Sequence, residues 1–360
     1  MPPPRRFVRA IAVAPFVLAH TVILLSWSDA AAQERLVIEA RAVATDALLQ
    51  AVSPVDDLVI WMSGHDATYA VTDDGGERWR VRTVPEAGVL QFRDVAAFDS
   101  RRAYLMSSGA GEQSRIYRTD DGGERWTLQY TAGHPDAFLD CMDFWTPEVG
   151  LAYGDAVDGT PFILRTEDGG GHWNRVRAET LPRALEGEGG FAASGTCLIA
   201  GHEGRAWIAT GNADRARVLR TEDFGATWSV ADGPVVAGGA SGLATIAMAD
   251  DGAGIALGGA IGNDSIRTQN VAVTEDFGAT WSVGGDLTMP GPVYGAALAP
   301  GRPGLVVAVG PRGVDWSADG GLSWQPGDTR THWAVAFTPD GTGWAVGPQG
   351  RVHRLRFEPR

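Results

Sequence analysis

The stretch Thr72-Asp73-Asp74-Gly75-Gly76-Glu77-Arg78-Trp79 is the first of six copies of one motif, S/T-x-D-x-G-x-x-W, which we call the Asp box. The other copies begin at Thr119, Thr166, Thr221, Thr274 and Ser317. Successive box tryptophans are separated by 47, 47, 55, 53 and 43 residues. A repeat of this length indicates a protein built from stacked supersecondary units.

Each Asp box has the chemistry of a turn. Its Asp can accept hydrogen bonds from nearby backbone N–H groups, and its Gly tolerates a positive φ. Its Trp is large enough to cover the turn and pack into the core. We therefore predict a structural role, not a catalytic one, for the six box carboxylates: Asp74, Asp121, Asp168, Asp223, Asp276 and Asp319.

The residues between boxes predict four short strands per repeat. Asp94–Phe98 is an apolar first strand, a polar turn follows, and Ala206–Gly211 shows a typical second strand. A third strand leads into the box and a fourth leaves from its Trp. Four strands separated by turn residues are typical of a propeller blade.

A seventh repeat has no box and stops one strand short. Its strands are predicted at Trp333–Phe337, Gly343–Gly347 and Arg351–Phe357, and the missing strand is available at Arg35–Val43. Pairing the two ends removes an exposed sheet edge. The sequence thus predicts an all-β fold, a seven-bladed β-propeller of four-stranded blades, closed by the N-terminal strand.

The six boxes resemble the Asp-box, or bacterial neuraminidase, repeat of sialidase-type propellers. In length and blade number the chain is most similar to photosystem II stability/assembly-factor-like propellers. The resemblance covers roughly residues 35–357. It implies a fold and not an activity, because enzymes and non-enzymes share this repeat. The Arg-Ile-Pro motif that a sialidase resemblance implies does not occur, so we do not expect a sialidase.

The N-terminus is typical of an export signal. Arg5, Arg6 and Arg9 precede an apolar run, and Ala30-Ala31-Ala32 offers a cleavage site. We predict a signal peptide over residues 1–32, a single propeller domain over residues 33–360, and a periplasmic or secreted protein. No Cys lies near the cleavage site to carry a lipid, so we expect no stable membrane insertion after cleavage.

The composition limits the classes of partner that the protein is expected to bind. The formal net charge is −14, which disfavours nucleic acid and anionic membranes and suits a basic or polar partner. The seven His have no metal-ligand spacing, and no Gly-rich run has the context of a phosphate loop. We expect no metal, no cofactor and a monomer. The partner is an unknown protein or glycan.

Two cysteines occupy near-equivalent first-strand positions in adjacent repeats. Cys141 lies 25 residues before the box at Thr166, and Cys197 lies 24 before the box at Thr221. In an oxidising compartment they would form a disulfide that ties blade 3 to blade 4. The alternative is a pair of buried free thiols.

The face opposite the boxes is where we expect a site, because irregular loops carry function more often than stereotyped turns. Polar loops are predicted there at Gly154–Gly159, at Asn212–Arg215 and at Gly262–Ser265, together with the connection Glu179–Gly190. Polar residues at the starts of inner strands are expected to point into the channel mouth, among them Ser194 and Thr196. The ligand-binding candidates are Arg93, Asn212, Asp214, Arg215, Tyr294 and His332.

Two functions from different classes remain. The first is a non-catalytic binding or assembly scaffold that recognises a protein segment or a glycan at the channel mouth. The alternative is a carbohydrate-active enzyme, a glycoside hydrolase or lyase, in which paired carboxylates act as acid and base. Its catalytic candidates come from blades two to four: Asp94, Asp140, Asp143, Asp155 and Asp158.

Overall fold

Seven antiparallel sheets of four strands each form a ring in the computed structural model. The structure describes residues 34–359, so the predicted signal peptide over residues 1–32 lies outside it. The strands of each blade are neighbours in chain order, as in a meander, except in the last blade. The predicted seven-bladed β-propeller is therefore confirmed.

The blades have the following strands. Blade 7 takes β1 (Glu34–Arg41) from the N-terminus; blade 1 has β2 (Leu49–Pro54), β3 (Ile60–Gly64), β4 (Thr68–Thr72) and β5 (Arg80–Thr83). Blade 2 has β6 (Phe92–Ala97), β7 (Ala103–Ser107), β8 (Arg115–Thr119) and β9 (Thr127–Thr131). Blade 3 has β10 (Leu139–Phe144), β11 (Gly150–Val157), β12 (Thr160–Thr166) and β13 (Asn174–Arg175). Blade 4 has β14 (Leu198–Ala200), β15 (Ala206–Ala209), β16 (Ala216–Thr221) and β17 (Ser229–Gly233). Blade 5 has β18 (Ser241–Met248), β19 (Gly254–Ala260), β20 (Val271–Thr274) and β21 (Ser282–Val283). Blade 6 has β22 (Gly295–Leu298), β23 (Val306–Gly310), β24 (Gly313–Ser317) and β25 (Gln325–Asp328), and blade 7 is completed by β26 (Ala334–Phe337), β27 (Gly343–Val346) and β28 (Val352–Pro359).

The two ends of the chain close the ring. β1 pairs antiparallel with β28 along its whole length, from Glu34 opposite Pro359 to Arg41 opposite Val352. Leu36 and Ile38 of β1 pack against the buried cluster that contains Trp316. The predicted closure of the last blade by the N-terminal strand is confirmed.

The Asp box forms the same turn in all six copies. In the first, the Thr72 hydroxyl donates to Asp74 at 2.9 Å and accepts from the Gly76 N–H at 3.0 Å. Asp74 also accepts from the Arg78 N–H at 2.9 Å. Gly76 has a φ of 83°, in the left-handed region that glycine adopts freely. The turn chemistry expected from the sequence is therefore present.

The box tryptophans lie in the seams between blades. Trp126 of blade 2 packs edge-on against Tyr69 of blade 1, with ring centroids 5.1 Å apart. The Tyr69 hydroxyl donates to the Gly123 carbonyl in the same box at 2.6 Å. Trp79 of blade 1 likewise meets Trp344 of blade 7 at 5.7 Å. Each box thus fixes its own turn and also docks its blade onto the preceding one.

The core lies within and between the blades. β7 and β23 are buried at every residue, because both faces of a middle strand are covered by neighbouring blades. Within residues 34–359, no helix is long and apolar enough to cross a membrane.

Candidate functional site

The inner strands of four blades begin with a β-bulge at the end of the channel opposite the boxes. The bulged residues are Gln50, Arg93, Asp140 and Ala244. A bulge turns a side chain away from the regular ladder direction. These bulges therefore place one side chain from each of the four blades near the channel mouth.

The connection between blades 3 and 4 enters this mouth. It covers residues 176–197, and we call its segment 187–196 the plug. The plug is buried except at Gly187, Phe191 and Thr196. Ser194, predicted as the start of an inner strand, belongs to the plug, because β14 begins only at Leu198. Small residues allow this backbone to pass close to the inner strands.

Hydrogen bonds tie the plug to blades around the ring. Gln50 of blade 1 donates to the Ala193 carbonyl at 3.3 Å, and Arg93 of blade 2 donates to the Ala192 carbonyl at 3.3 Å. The Ser194 hydroxyl donates to the Tyr294 carbonyl, next to blade 6, at 2.7 Å. Because these contacts lie across the ring from blade 4, the plug spans the channel mouth.

The start of the plug is anchored to blade 4. Glu188 and Arg217 form an ion pair with both side chains buried. The Thr210 hydroxyl donates to Glu188 at 2.8 Å, and Gly189 exchanges both backbone hydrogen bonds with Gly211. A buried pair with several hydrogen bonds favours one position of the segment.

Two catalytic candidates hold the plug. Asp155 accepts from the Gly190 N–H at 3.1 Å, and Asp140 lies against the same glycine. Burial raises the pKa of Asp155 to about 6. Burial and the nearby charge of Asp155 raise the pKa of Asp140 well above its usual value. The two carboxyl groups lie beneath the plug and are not presented to solvent as a pair.

Two further catalytic candidates join neighbouring blades. Asp94 of blade 2 accepts from the Met142 N–H of blade 3 at 2.5 Å. Asp143 of blade 3 accepts from the Ala200 N–H of blade 4 at 2.7 Å. Burial raises the pKa of Asp143 to about 6. The position of Asp94, directly after the bulge, is used in the same way in blade 5, where Thr245 accepts from the Ala296 N–H of blade 6.

The fifth candidate, Asp158, lies in a tight turn. The predicted long loop at Gly154–Gly159 is wrong: β11 continues to Val157 and β12 starts at Thr160, which leaves only Asp158 and Gly159 between them. Both have positive φ values, 54° and 72°. An Asp-Gly pair is favoured in such two-residue hairpins, so the pattern is explained by the turn.

The loop Asn212–Arg215 of blade 4 has one residue that contacts the plug and two that are exposed to solvent. Asn212 donates to the Gly190 carbonyl at 3.3 Å, so it also holds the plug. Asp214 and Arg215 are exposed, and Arg215 pairs with Asp232 at 3.3 Å. The sequence prediction places these residues together, but only Asn212 reaches the mouth.

His332, expected to face the channel, is fully buried. Its Nε2 is 2.7 Å from Nδ1 of His353, and its Nδ1 is 2.8 Å from the Arg330 carbonyl. Both ring nitrogens are thus engaged inside blade 7, which leaves the side chain no free polar atom for a ligand.

A smaller set of side chains stays accessible beside the plug. Tyr294 and Trp333 stack with centroids 4.5 Å apart, and both are half-buried. Arg93, His65 and the plug residue Phe191 are also half-buried. Burial and the charge of Arg93 lower the pKa of His65. We call these five residues the mouth surface.

Trp333, His65 and Phe191 were not among the residues chosen from the sequence. Trp333 immediately follows the candidate His332, and the signal that could have selected it is its equivalence to Tyr294 at the start of the preceding inner strand. Phe191 is the one aromatic residue in Gly187–Gly195, where every other residue except Glu188 is small. A single aromatic residue in such a segment could have marked it as part of a binding surface.

The predicted disulfide between Cys141 and Cys197 is present. Cys197 follows the last plug residue, and Cys141 follows Asp140, so the bond fixes the end of the plug to blade 3. Among the described residues, no group of three or more His, Cys, Asp or Glu could hold a metal ion.

The ring and its mouth define a plugged seven-bladed propeller, and several solved structures share the propeller fold. No protein-family model matches the chain, and no curated protein sequence matches it. YCF48 from Cyanidioschyzon merolae is similar over 89% of this chain and 98% of that one, with 17% identity and a TM-score of 0.63. YCF48 bound to a D1 peptide has 18% identity and a TM-score of 0.59, over 88% and 96% of the two chains.

A glycoside hydrolase also shares the fold. The GH74 xyloglucanase from Xanthomonas campestris has 14% identity and a TM-score of 0.63, over 88% of this chain but 53% of that one. At such identities the similarities show the fold alone, and the same ring serves different functions.

Proposed function

We propose that the protein is an exported, non-catalytic scaffold that binds an extended segment of another protein at its mouth surface. The observation that carries this proposal is the half-buried Tyr294–Trp333 stack beside a rigid plug. Trp, Tyr and Arg are the residues that dominate binding energy in protein interfaces. The mouth surface contains all three.

The plug supports binding because it makes the floor of the mouth rigid. Hydrogen bonds from Gln50, Arg93 and Asn212 hold its backbone. A surface that is ordered before the ligand arrives loses less conformational entropy on binding. The similarity to YCF48 bound to a D1 peptide supports a protein segment as the class of ligand.

The candidate carboxylates favour binding over hydrolysis. A general acid or base must reach the substrate atom from which it takes, or to which it gives, a proton. Asp94, Asp143 and Asp155 instead accept backbone hydrogen bonds, and Asp140 is buried under the plug. The disulfide is consistent with an oxidising, exported location, which we include in the proposal.

The experiment is capture of partners by the mature protein, residues 33–360, from the exported proteins of its own cells. Trp333→Ala and Arg93→Ala are compared with Arg101→Ala, an exposed arginine in the box-face turn of blade 2. We expect a partner retained by the wild type and by Arg101→Ala, with at least tenfold less retained by the two mouth variants.

The same preparations are offered a panel of glycosides and polysaccharides. Turnover that disappears in Asp143→Ala or Asp155→Ala would establish the alternative, a carbohydrate-active enzyme, and would overturn the scaffold proposal. Equal partner retention by the wild type and by Trp333→Ala would instead place binding elsewhere on the molecule.

A further inference from the structure

Two of the six Asp boxes carry an unusual residue at the position immediately before the motif glycine. Four boxes have glycine there, with φ between 67° and 80°: Gly75, Gly122, Gly169 and Gly320. Boxes 4 and 5 have Phe224 and Phe277 instead, with φ of 57° and 58°. A bulky residue in the left-handed region is uncommon, because its Cβ crowds the backbone.

The turn itself does not need a phenyl ring. In every box the N–H at this position donates to a carbonyl in the turn between strands 1 and 2 of its blade. Phe277 donates to Gly252 at 3.0 Å, as Gly75 does to Leu58 at 3.0 Å. Glycine makes this bond without strain. Backbone strain that local structure does not require is concentrated at functional sites.

Both rings lie at one place on the box face. A cavity of about 220 Å³ opens there between the ends of the inner strands of blades 3, 4 and 5. Phe277 lines it, and Phe224 packs edge-on against the lining residue Trp145, with centroids 5.3 Å apart. The other large apolar lining residues are Phe144, Ile199, Trp207 and Met248.

The indole N–H groups of the lining already have partners, and the guanidinium of a third lining residue, Arg205, lies over the Phe277 ring with its central carbon 4.5 Å from the centroid. Trp145 Nε1 donates to the Arg205 carbonyl at 2.6 Å, and Trp207 Nε1 donates to the Phe277 carbonyl at 2.7 Å. Both indole N–H groups are therefore already used. Sites for drug-sized ligands measure about 300–1,000 Å³, so this cavity has room for one apolar side chain.

The rim of the cavity carries excess negative charge. Glu203 is matched by Arg205, at 2.8 Å. Asp250 lines the cavity and is exposed, and the cation that faces it is His202, 3.3 Å away and charged only when protonated. A basic group beside the entering side chain would pair with Asp250.

We propose that the box face carries a second binding site, which takes an aromatic side chain of a basic peptide segment. The ring enters the cavity beside Phe277, and a neighbouring Arg or Lys of the segment pairs with Asp250. This site is separate from the mouth surface, so its test does not depend on whether the proposed function is correct.

The test uses two capped dipeptides, acetyl-Phe-Arg-amide and acetyl-Phe-Glu-amide, added to the mature protein labelled with ¹⁵N. We expect saturable shifts of the Trp145 and Trp207 indole N–H signals with the first peptide. The second peptide should bind at least fivefold more weakly. No saturable shift with the Arg peptide, or equal binding of both peptides, overturns the proposal.

Phe277→Gly gives box 5 the glycine that four other boxes have, so we expect the turn to form and the protein to fold, with an unfolding midpoint lowered by the lost packing of the ring on Arg205 and the core of blade 4. Binding of the Arg peptide should fall at least tenfold. Leu322→Ser, at an exposed residue in the box of blade 6, should leave binding unchanged. Full binding by a folded Phe277→Gly overturns the proposal.

Asp250→Asn keeps the test decisive should Phe277→Gly fail to fold. This exposed residue can lose its charge without loss of packing. We expect the variant to bind the Arg peptide at least threefold more weakly and the Glu peptide no more weakly than before. Unchanged affinity for the Arg peptide overturns the proposal.

Discussion

At the scale of single residues, a closed set of hydrogen bonds fixes the protonation of two buried histidines. An arginine can only donate, so Arg330 makes Nε2 of His353 an acceptor at 3.0 Å. His353 must then donate from Nδ1 to Nε2 of His332, which in turn donates from Nδ1 to the Arg330 carbonyl. Each imidazole is neutral, with one defined tautomer.

These histidines should make stability depend on pH. Burial, together with the charge of His353, lowers the pKa of His332 to about 3, and burial and Arg330 lower that of His353 to about 4. The unfolded chain binds protons at these histidines near pH 6.5. The part of the unfolding free energy that depends on neutral histidines is therefore fully present above that pH. It is lost as the pH falls towards 4.

We expect His332→Asn to flatten this dependence. Relative to the wild type, the loss of unfolding free energy from pH 7 to pH 5 should shrink by about 2 kcal/mol, measured by urea unfolding at both values. Asp143 and Asp155, whose pKa values are about 6, act in the opposite direction and are common to both proteins. Parallel wild-type and variant profiles would contradict the prediction.

The candidate site shows how much of its structure can be predicted from residue types in the sequence. An Asp at the start of an inner strand predicts a polar channel, and Asp94 and Asp140 do lie there. Their partners are backbone N–H groups of another blade or of the plug, and the sequence carries no signal for those pairings. A carboxylate that supports the fold and one that serves catalysis therefore look alike until the ring is assembled.

At the scale of elements, the plug is the feature that periodicity could not predict. Each blade repeats the Asp box, and the box predicts its strands because turn chemistry is local. The segment Gly187–Gly195 has neither alternation nor a helical period. Its conformation depends on a channel that exists only when the blades have closed around it.

Close packing between the plug and the carboxylates predicts that added volume is costly. A Cβ on Gly190 would lie 2.6 Å from an oxygen of the buried Asp140. Gly190→Ala should therefore destabilise the protein by roughly 1–3 kcal/mol, as overpacking does. Release of the plug should also speed chymotrypsin cleavage after Phe191, followed by mass spectrometry.

The matched control is Gly239→Ala, since no atom lies within 4 Å of the position its Cβ would take. This variant should keep the wild-type unfolding midpoint and cleavage rate. Equal behaviour of the two variants would mean that the plug is not held tightly against Asp140.

At the scale of the whole molecule, the ring depends on a strand that lies far away in sequence from its partner. Strand β1 covers the edge of β28, and an uncovered edge would expose unpaired backbone groups. Ion pairs join Glu34 to Arg302 and Glu39 to Arg356. The sequence predicted this closure, because the seventh repeat lacks a strand that only the other terminus can supply.

Removal of that strand should open the ring. A chain that starts at Ala42 loses the apolar burial of Leu36 and Ile38. At about 1.5–3 kcal/mol for each apolar side chain, and with both only half-buried, the loss should be roughly 3 kcal/mol. We expect a lower unfolding midpoint than for the chain that starts at Gln33, and concentration-dependent association through the exposed β28 edge, measured by light scattering.

A synthetic peptide of residues 34–41 separates lost closure from general damage. If β28 keeps its conformation in the shortened chain, the peptide can pair with it as an added strand. It should raise the unfolding midpoint saturably and suppress association, whereas a peptide of the same composition in scrambled order should do neither. An unfolding midpoint unchanged by the truncation would mean that contacts between blades hold the ring without β1. A midpoint that falls and then recovers with the peptide would show that the last blade must be completed for the propeller to stay closed.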